Sequence, residues 1–549
     1  MNKPDKKIGW VDRFLNLVER AGNLLPHPVM LFFYLCLITV FLSNIGYWLD
    51  WTVVDPRPEG TAGRAADGMV RVNPLLSAEG LRMITTRVVE NFVKFAPLGT
   101  VLVALLGVGI AEHSGLISAA IRLVILRAPG LLVTAALVFA GVISNTASEI
   151  GYVVIVPMGA AIFYSLGRHP FAGLAAAFAG VSGGYSANLL LGTIDPLLSG
   201  ITSKAAEGID PNYAENLNPL SPACNFYFMF ASTFLVTAMG TFVSAWIVEP
   251  RLGKYSPMEG DDSLKDEASN ALQTLTPLEV YGLQVTGISV LLFTALLVYL
   301  SVPLSVYQAA NIEFDWLMAM PLLGALGESA DGKGNPAFLQ GIVGIIFIGF
   351  LIPGLVYGVV TGAIKSDKDV INFMAKSMSS MGLYIVLTFF AAQFVEYFNW
   401  SNLGTLLAIV GADLIVYLRL DNPAIFLLFI LLCALVNLVM GSASAKWTFL
   451  APIFVPMLMR IGYSPELTQL AYRIGDSCTN VISPMMSYFG MIFVFACKYD
   501  RNFKLGTLIS LMFPYSFVFL IFWTIFFYSW VFLFEFPIGP ASSIRYENV

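Results

Sequence analysis

The chain has 549 residues, of which 57% are hydrophobic and 12% charged, with a formal net charge of −6. Soluble domains carry about 25% charged residues and about 45 to 50% apolar residues, so the composition excludes an ordinary soluble protein. The acidic balance offers no basic surface for phosphates, which excludes nucleic acid as a partner. Membrane lipid is the expected surrounding of most of the chain.

The chain begins with a charged segment, residues 1–23, in which Trp10, Phe14 and Val18 fall on one helical face. This pattern indicates a cytoplasmic amphipathic helix lying at the membrane interface, and a helix packed on the protein itself would produce the same pattern. The apolar run 24–49 that follows is too long for a signal peptide and is expected to stay in the membrane.

Sustained apolar runs recur along the chain, and a bilayer core of about 30 Å needs roughly 20 such residues of helix. They predict about nine transmembrane helices, near 24–49, 96–122, 170–200, 220–249, 277–302, 341–363, 402–421, 468–497 and 505–535. The distribution of Lys and Arg places the N-terminus on the cytoplasmic side of a bacterial inner membrane. A cytoplasmic linker, 250–276, separates a first membrane part, 24–249, from a second, 277–535, and 536–549 forms a tail. The runs 79–94 and 377–398 fit this orientation only if they do not span fully.

Two apolar stretches are interrupted by polar residues and do not fit single spans. They are 131–166, broken by Ser144 to Glu149, and 424–459, broken by Gly441 to Trp447. Polar backbone at membrane depth is tolerated only where protein or a wet cavity surrounds it. Both stretches are therefore predicted to be re-entrant helical hairpins with polar tips.

The two hairpins belong to a duplicated pattern. Each is followed by Val-Pro-Met, at 156–158 and at 455–457, and then by an apolar segment broken by Gly and polar residues, at 170–200 and 468–497. Because the charge pattern opens the hairpins to opposite sides, the repeats are predicted to be inverted. Inverted repeats with broken helices are typical of secondary transporters, whose sites lie where the halves meet.

Charged residues inside apolar segments are costly and indicate a polar partner or a pathway. The candidates are Glu149, Asp195, Lys446, Arg473 and Asp476. Arg473 and Asp476 are three residues apart and could simply form an internal ion pair. Alternatively, Gly475, Asn480 and Pro484 indicate that the helix breaks there, and Arg473 holds a substrate carboxylate.

The hairpin tips and helix breaks also carry hard oxygen ligands of the kind that suits Na⁺. The first repeat offers Asn145, Thr146, Asn188 and the carbonyls near Gly184, and the second offers Ser442, Ser444, Asn480 and the carbonyls near Ser477. Hydrogen bonding between helices would use the same residues. If protons drive transport instead, Asp195 and Asp476 are the proton carriers.

Enzymatic chemistry has little support, because no HExxH, GxSxG or Walker sequence occurs and no nucleophile and base are visible. No cofactor beyond Na⁺ or H⁺ as a coupling ion is expected. A channel would show polar stripes along a pore without paired broken helices, and concentrative uptake would separate it from a carrier.

These motifs together resemble the AbgT family, the p-aminobenzoyl-glutamate transporters, over nearly the whole chain. The resemblance rests on Leu25 to Pro28, the two hairpin tips, the stretch from Gly183 to Pro196 and the stretch from Arg473 to Pro484. It implies an all-α homodimer with two opposed hairpins that transports p-aminobenzoyl-glutamate or exports p-aminobenzoate-like compounds, including sulfonamides. The same scaffold would also support a sodium-coupled dicarboxylate symporter.

The resemblance further implies which residues act on the small aromatic carboxylate substrate. The family's functional positions fall on Asp195, Ser444, Trp447, Pro465, Arg473, Asp476 and Pro484.

Overall fold

The computed structural model describes most of the chain and is mostly helical. Described are residues 28–55, 65–126, 132–145, 150–210, 213, 220–255, 275–302, 322–327, 336–379, 381–419, 422–484, 486, 488–501 and 503–546. The predicted interfacial helix in 1–23 lies outside these residues, as do Thr146, Glu149 and most of the 250–276 linker.

The first part of the chain is helical except for one short hairpin of strands. Its helices are α1 (Pro28–Trp48), α2 (Ala78–Val93), α3 (Ala96–His113), α4 (Leu116–Leu126), α5 (Val133–Ser144), α6 (Ile150–Ser165), α7 (Pro170–Phe178), α8 (Ile194–Ala206), α9 (Phe226–Phe242) and α10 (Glu249–Leu252). A π-helical segment, 179–183, extends α7, and a second, 243–248, joins α9 to α10. Strands β1 (Thr52–Val54) and β2 (Met69–Arg71) pair antiparallel, with Val53 opposite Val70.

The second part repeats this organisation. Its helices are α11 (Pro277–Ser301), α12 (Ala337–Gln340), α13 (Ile342–Thr361), α14 (Asp367–Ser379), α15 (Gly382–Trp400), α16 (Leu403–Tyr417), α17 (Ala424–Val439), α18 (Ala443–Arg460), α19 (Pro465–Asn480), α20 (Phe489–Tyr499) and α21 (Leu505–Tyr528). The predicted tail is packed against both parts, since the amide of Ser464 donates to the carbonyl of Ile544 and the amide of Phe228 donates to that of Ile538.

Six single helical stretches among the described residues are long and apolar enough to cross a membrane, and the bent pair α14 and α15 is a possible seventh. They match six of the predicted spans. The other three predicted spans, 170–200, 402–421 and 468–497, consist of shorter helices or of helices separated by a break. The chain is a multi-pass membrane protein in which interrupted segments accompany the continuous spans.

Pairs of helices are present at both predicted hairpins; the polar tip of the second is described, and residues 146–149 of the first lie outside the described residues. Helices α5 and α6 form the first, and α17 and α18 form the second, with Ser442 capping α18 by accepting from the amide of Ala445. At about 1.5 Å per residue, the 12 residues of α5 and the 16 residues of α17 are shorter than a bilayer core of about 30 Å. Neither α5 nor α17 is therefore long enough to span the bilayer core by itself.

Glycines allow these hairpins to pack closely on the broken helices. A Cβ on Gly180 would lie 2.3 Å from the carbonyl oxygen of Val138 in α5, and a Cβ on Gly475 would lie 2.4 Å from that of Ile430 in α17. No side chain fits in these two gaps. The same contact, broken helix against the first hairpin helix, thus recurs in both repeats.

The repeats also meet each other at equivalent residues. The sequence aligns Asn91 to Phe95 with Gln393 to Tyr397, and the Asn91 amide donates to the Gln393 side-chain oxygen at 2.8 Å. Gln393 in turn donates to the carbonyl of Val88. Equivalent positions touch where a two-fold axis relates two copies, so this buried contact marks the pseudo-symmetry axis.

The structure places the second helix break after Asn480 and not at Gly475. Helix α19 is intact from Pro465 to Asn480, and the described residues that follow it, 481–484, lie outside any helix before α20 begins at Phe489. Gly475 serves close packing against α17 and does not interrupt the helix. Ser464 caps α19, and Pro465 occupies its first turn, where its missing N–H costs no hydrogen bond.

Candidate functional site

A buried ion pair joins the two repeats at the centre of the protein. The Arg473 guanidinium of α19 lies 2.7 Å from the Asp195 carboxylate, in the first turn of α8, and both side chains are at most 4% exposed. Asp195 also accepts from the amide of Gly192 at 2.7 Å. Arg473 donates to the carbonyl of Ser186 at 3.3 Å, while its Nε has no hydrogen-bond partner. Within the described residues, the Nε edge of the guanidinium is thus left for a further acceptor.

A second buried ion pair joins Lys446, near the tip of the second hairpin, to Asp476 of α19. The Lys446 side chain is fully buried, and its ammonium also donates to the side-chain oxygen of Asn437. The alternative of an Arg473–Asp476 pair is wrong. The two residues point to different partners because other elements, α8 and α18, bring an acid and a base to α19.

Asn437 organises the polar groups around this second pair. Its amide nitrogen donates to the carbonyl of Asp476 at 2.5 Å, to Thr479 at 2.9 Å and to the Asn480 side-chain oxygen at 2.9 Å. Its backbone carbonyl accepts from Ser483 at 2.9 Å. Three residues of α19 are therefore positioned by the Asn437 side chain, and Ser483, just after α19, by its backbone carbonyl.

Trp447 lies inside the protein and is not an interfacial anchor. Its indole stacks on the ring of Tyr472, with centroids 4.4 Å apart and an angle of 24° between the rings. The indole N–H donates to Thr202 of α8 at 2.8 Å, and Thr202 donates to Gln469 at 2.6 Å. Because Gln469 and Arg473 are four residues apart on α19, the Thr202–Gln469 contact and the Arg473–Asp195 pair join the same two helices about one turn apart.

The candidate oxygen ligands of the first repeat have unused hydrogen-bonding capacity. Among the described residues, the Asn145 side-chain oxygen and both polar atoms of the Asn188 side chain have no hydrogen-bond partner, although both residues are buried. Asn145 donates to the carbonyl of Val142, whose side chain also lies against Gly184. The structure therefore places Asn145 and Gly184 around one residue of α5. Buried amides without partners are rare and favour an unseen ligand.

The counterparts in the second repeat are mostly engaged. Ser442 caps α18, its hydroxyl lies 3.3 Å from that of Ser444, and Asn480 accepts from Asn437. The Ser477 hydroxyl is buried without a partner, but it lies in the intact part of α19. Pro484 lies in the break itself, half-buried.

A polar cavity of about 380 Å³ lies at the far end of α8. Its lining includes Arg71, Asn399 and Lys204, whose ammonium is 2.8 Å from both Glu207 and Glu396. Lys204 follows Asp195 by nine residues on the same helix, so about 14 Å of helix separates the cavity from the buried pair.

Sequence reasoning missed Asn437, Thr202, Gln469 and Tyr472, and gave Lys446 no role. Asn437 had a usable signal, because it is the single amide in the otherwise apolar helix α17. Thr202 and Gln469 had none, since their contacts depend on helices far apart in the chain. Over the described residues, no cluster of three or more His, Cys, Asp or Glu could hold a metal ion.

Comparison with known proteins identifies the family. The family model described as "AbgT putative transporter family" matches residues 13–546. The p-aminobenzoyl-glutamate transport protein of Escherichia coli K12 is 36% identical, with 98% of this chain and 96% of that protein aligned.

Two solved structures have the same fold. MtrF of Neisseria gonorrhoeae, described as illuminating a class of antimetabolite efflux pumps, has a TM-score of 0.85 at 49% identity and covers 97% of this chain and 100% of its own. YdaH of Alcanivorax borkumensis, a transporter described as having an unusual topology, has a TM-score of 0.80 at 39% identity. The match covers 94% of this chain and 100% of the YdaH chain. The inverted repeats, the two hairpins and these similarities together show that the chain belongs to the AbgT family and is a membrane transporter, not an enzyme.

Proposed function

We propose that the protein is an ion-coupled secondary transporter of p-aminobenzoyl-glutamate or of related p-aminobenzoate and sulfonamide-like compounds. The observation that carries this proposal is the Arg473–Asp195 pair beside the stacked Trp447 and Tyr472. A guanidinium binds a carboxylate, and an indole face accepts an aromatic ring. An aromatic carboxylate would satisfy both groups at once.

The similarity to MtrF favours export of antimetabolites, and the similarity to the Escherichia coli protein favours p-aminobenzoyl-glutamate as substrate. The polar cavity lined by Lys204 and Glu396 would form the mouth of the route along α8. We further propose a homodimer in a bacterial inner membrane with the N-terminus in the cytoplasm. The apolar helix α11 is exposed along most of its length and offers a surface for lipid or a second copy.

Transport in proteoliposomes would test the proposal. Radiolabelled p-aminobenzoyl-glutamate should accumulate above equilibrium when either a Na⁺ gradient or a pH gradient is imposed. One of these two gradients, applied alone, should be enough to drive accumulation. Excess unlabelled sulfonamide should compete, and succinate should not. Equilibration without accumulation would indicate a channel, and competition by succinate would favour the dicarboxylate symporter.

We propose that Na⁺ binds at the first hairpin, with Asn145, Thr146, Asn188 and the carbonyls near Gly184 as ligands. If so, Asn145→Ala and Asn188→Ala should each raise the Na⁺ concentration for half-maximal transport by about tenfold, since one charge-assisted contact contributes roughly 1.5 to 3 kcal/mol. Asn44→Ala is a control for Asn145→Ala, because the buried Asn44 amide also donates to a carbonyl in the preceding helical turn, that of Val40, as Asn145 does to that of Val142. Transport that follows only the pH gradient would contradict the sodium assignment and leave Asp195 and Asp476 as proton carriers.

A further inference from the structure

At the second hairpin, a positively charged side chain lies among buried amide and carboxylate oxygens. At the first hairpin, buried amide groups have no hydrogen-bond partner within the described residues. Lys446 is fully buried, and its ammonium contacts the side-chain oxygens of Asn437 and Asp476. Amide and carboxylate oxygens are also the ligands that a small hard cation prefers. The ammonium therefore lies in a cage that a free monovalent cation could use.

The first repeat lacks such a residue. When Val156-Pro157-Met158 is aligned with Val455-Pro456-Met457, Lys446 corresponds to Ala147, and the polar run 144–149 contains no basic residue. On that side the Asn145 oxygen and the Asn188 side chain remain without partners in the described structure. On the second side, Asn480 accepts from Asn437, whose own oxygen accepts from Lys446.

The charges around α19 are consistent with this difference. Arg473 is neutralised by Asp195, so Asp476 is not needed to balance it. Without Lys446, Asp476 would leave one uncompensated negative charge in a fully enclosed cage. Such a charge is costly unless it is paired, and a bound cation would pair it.

We propose that Lys446 is a tethered cation that fills the second repeat's ion site. The coupling ion then binds only at the first hairpin, and Lys446 fixes the number of free cations that each cycle carries. This inference rests on the proposed function, in which a cation binds near Asn145. It assigns Lys446 a role in ion stoichiometry and no contact with the substrate.

Replacing Lys446 by alanine should open the second site to a free cation. The purified Lys446→Ala protein should melt at a lower temperature than wild type in choline chloride and recover as NaCl replaces choline. Equilibrium dialysis with ²²Na⁺ should show one additional ion per protomer. In the double variant Lys446→Ala/Asp476→Asn both effects should disappear, because the carboxylate of the cage is gone.

The melting and dialysis measurements on Lys446→Ala are repeated in a protein that also carries Asn145→Ala and Asn188→Ala. This inference and the proposed function can then fail separately. If no Na⁺ binds at the first hairpin, the Asn145→Ala/Asn188→Ala protein should bind as much Na⁺ as wild type. The Na⁺-dependent melting and the additional bound ion caused by Lys446→Ala should still be observed in that background. A Lys446→Ala protein whose melting and ion count ignore monovalent cations would overturn the proposal, as would an unchanged response in the double variant.

A second variant covers the case in which Lys446→Ala does not fold. Lys446→Gln keeps much of the side-chain length and should fold in NaCl but poorly in choline chloride. If neither Lys446→Ala nor Lys446→Gln folds in NaCl or in choline chloride while Lys446→Arg folds normally, the packing requires a positively charged side chain at this position. That result would contradict the inference.

Discussion

Replacing Arg473 by glutamine should abolish transport and lower thermal stability together. The change leaves the Asp195 carboxylate buried without its partner, and breaking such a pair costs about 3 to 5 kcal/mol. Adding Asp195→Asn removes that charge and should restore much of the stability. Transport should stay at background in the double variant, because the substrate carboxylate still lacks its guanidinium.

The two readouts separate a binding role from a structural one. The melting temperature and monodispersity measure how much the Arg473–Asp195 pair stabilises the fold. Substrate uptake and the rise in melting temperature on adding substrate measure how much the pair contributes to substrate binding. The Arg168–Glu249 pair is a suitable control, since it is bidentate, with contacts of 2.6 and 2.8 Å, and lies away from the site with about a quarter of each side chain exposed. Arg168→Gln should leave substrate affinity unchanged. Transport by the Arg473→Gln/Asp195→Asn protein near the wild-type rate would show that the pair only holds α8 to α19.

A methyl group on Gly475 should damage the protein far more than its size suggests. Its Cβ would lie 2.4 Å from the carbonyl oxygen of Ile430 and 2.7 Å from the Cβ of Cys433, so α17 and α19 would have to separate. Overpacking of this kind costs typically 1 to 3 kcal/mol. Because α19 also carries Arg473 and Asp476, Gly475→Ala should reduce both the melting temperature and the rate of transport.

The same substitution elsewhere supplies the control. Gly287 lies on the exposed side of α11, and a Cβ there meets no atom within 4 Å. Alanine has a higher helix propensity than glycine by about 1 kcal/mol, so Gly287→Ala should leave stability unchanged or slightly higher. If Gly475→Ala melts at the wild-type temperature, the close approach of the two helices is not a constraint on this fold.

Much of the architecture could be predicted because apolar length and polar interruption are local properties of the sequence. The runs ending in Trp48, Ser301 and Thr361 are uniform enough for bilayer thickness alone to define them as helices. The hairpins were recognisable because Ser144 and Gly441 begin polar interruptions that a membrane tolerates only inside protein. Family membership followed from these same motifs.

The partners of the buried charges required the tertiary structure. Arg473 and Asp476 are three residues apart on one helix, which makes an internal pair the natural expectation. Yet α8 presents Asp195 to one and α18 presents Lys446 to the other. A sequence pattern reports which residues share a helix face but not which helix packs against that face.

The place of the helix break was likewise decided by packing. Gly475 indicates a break when only the sequence of α19 is considered, since glycine is a poor helix former. In the folded protein that glycine allows α17 to approach, and Asn437 of α17 then binds the end of α19 through Asp476 and Asn480. The sequence by itself determined that the chain is a membrane transporter with duplicated hairpins and which ionisable residues lie inside it. Only the tertiary structure decided how those charges pair, because pairing depends on contacts between helices that are distant in the chain.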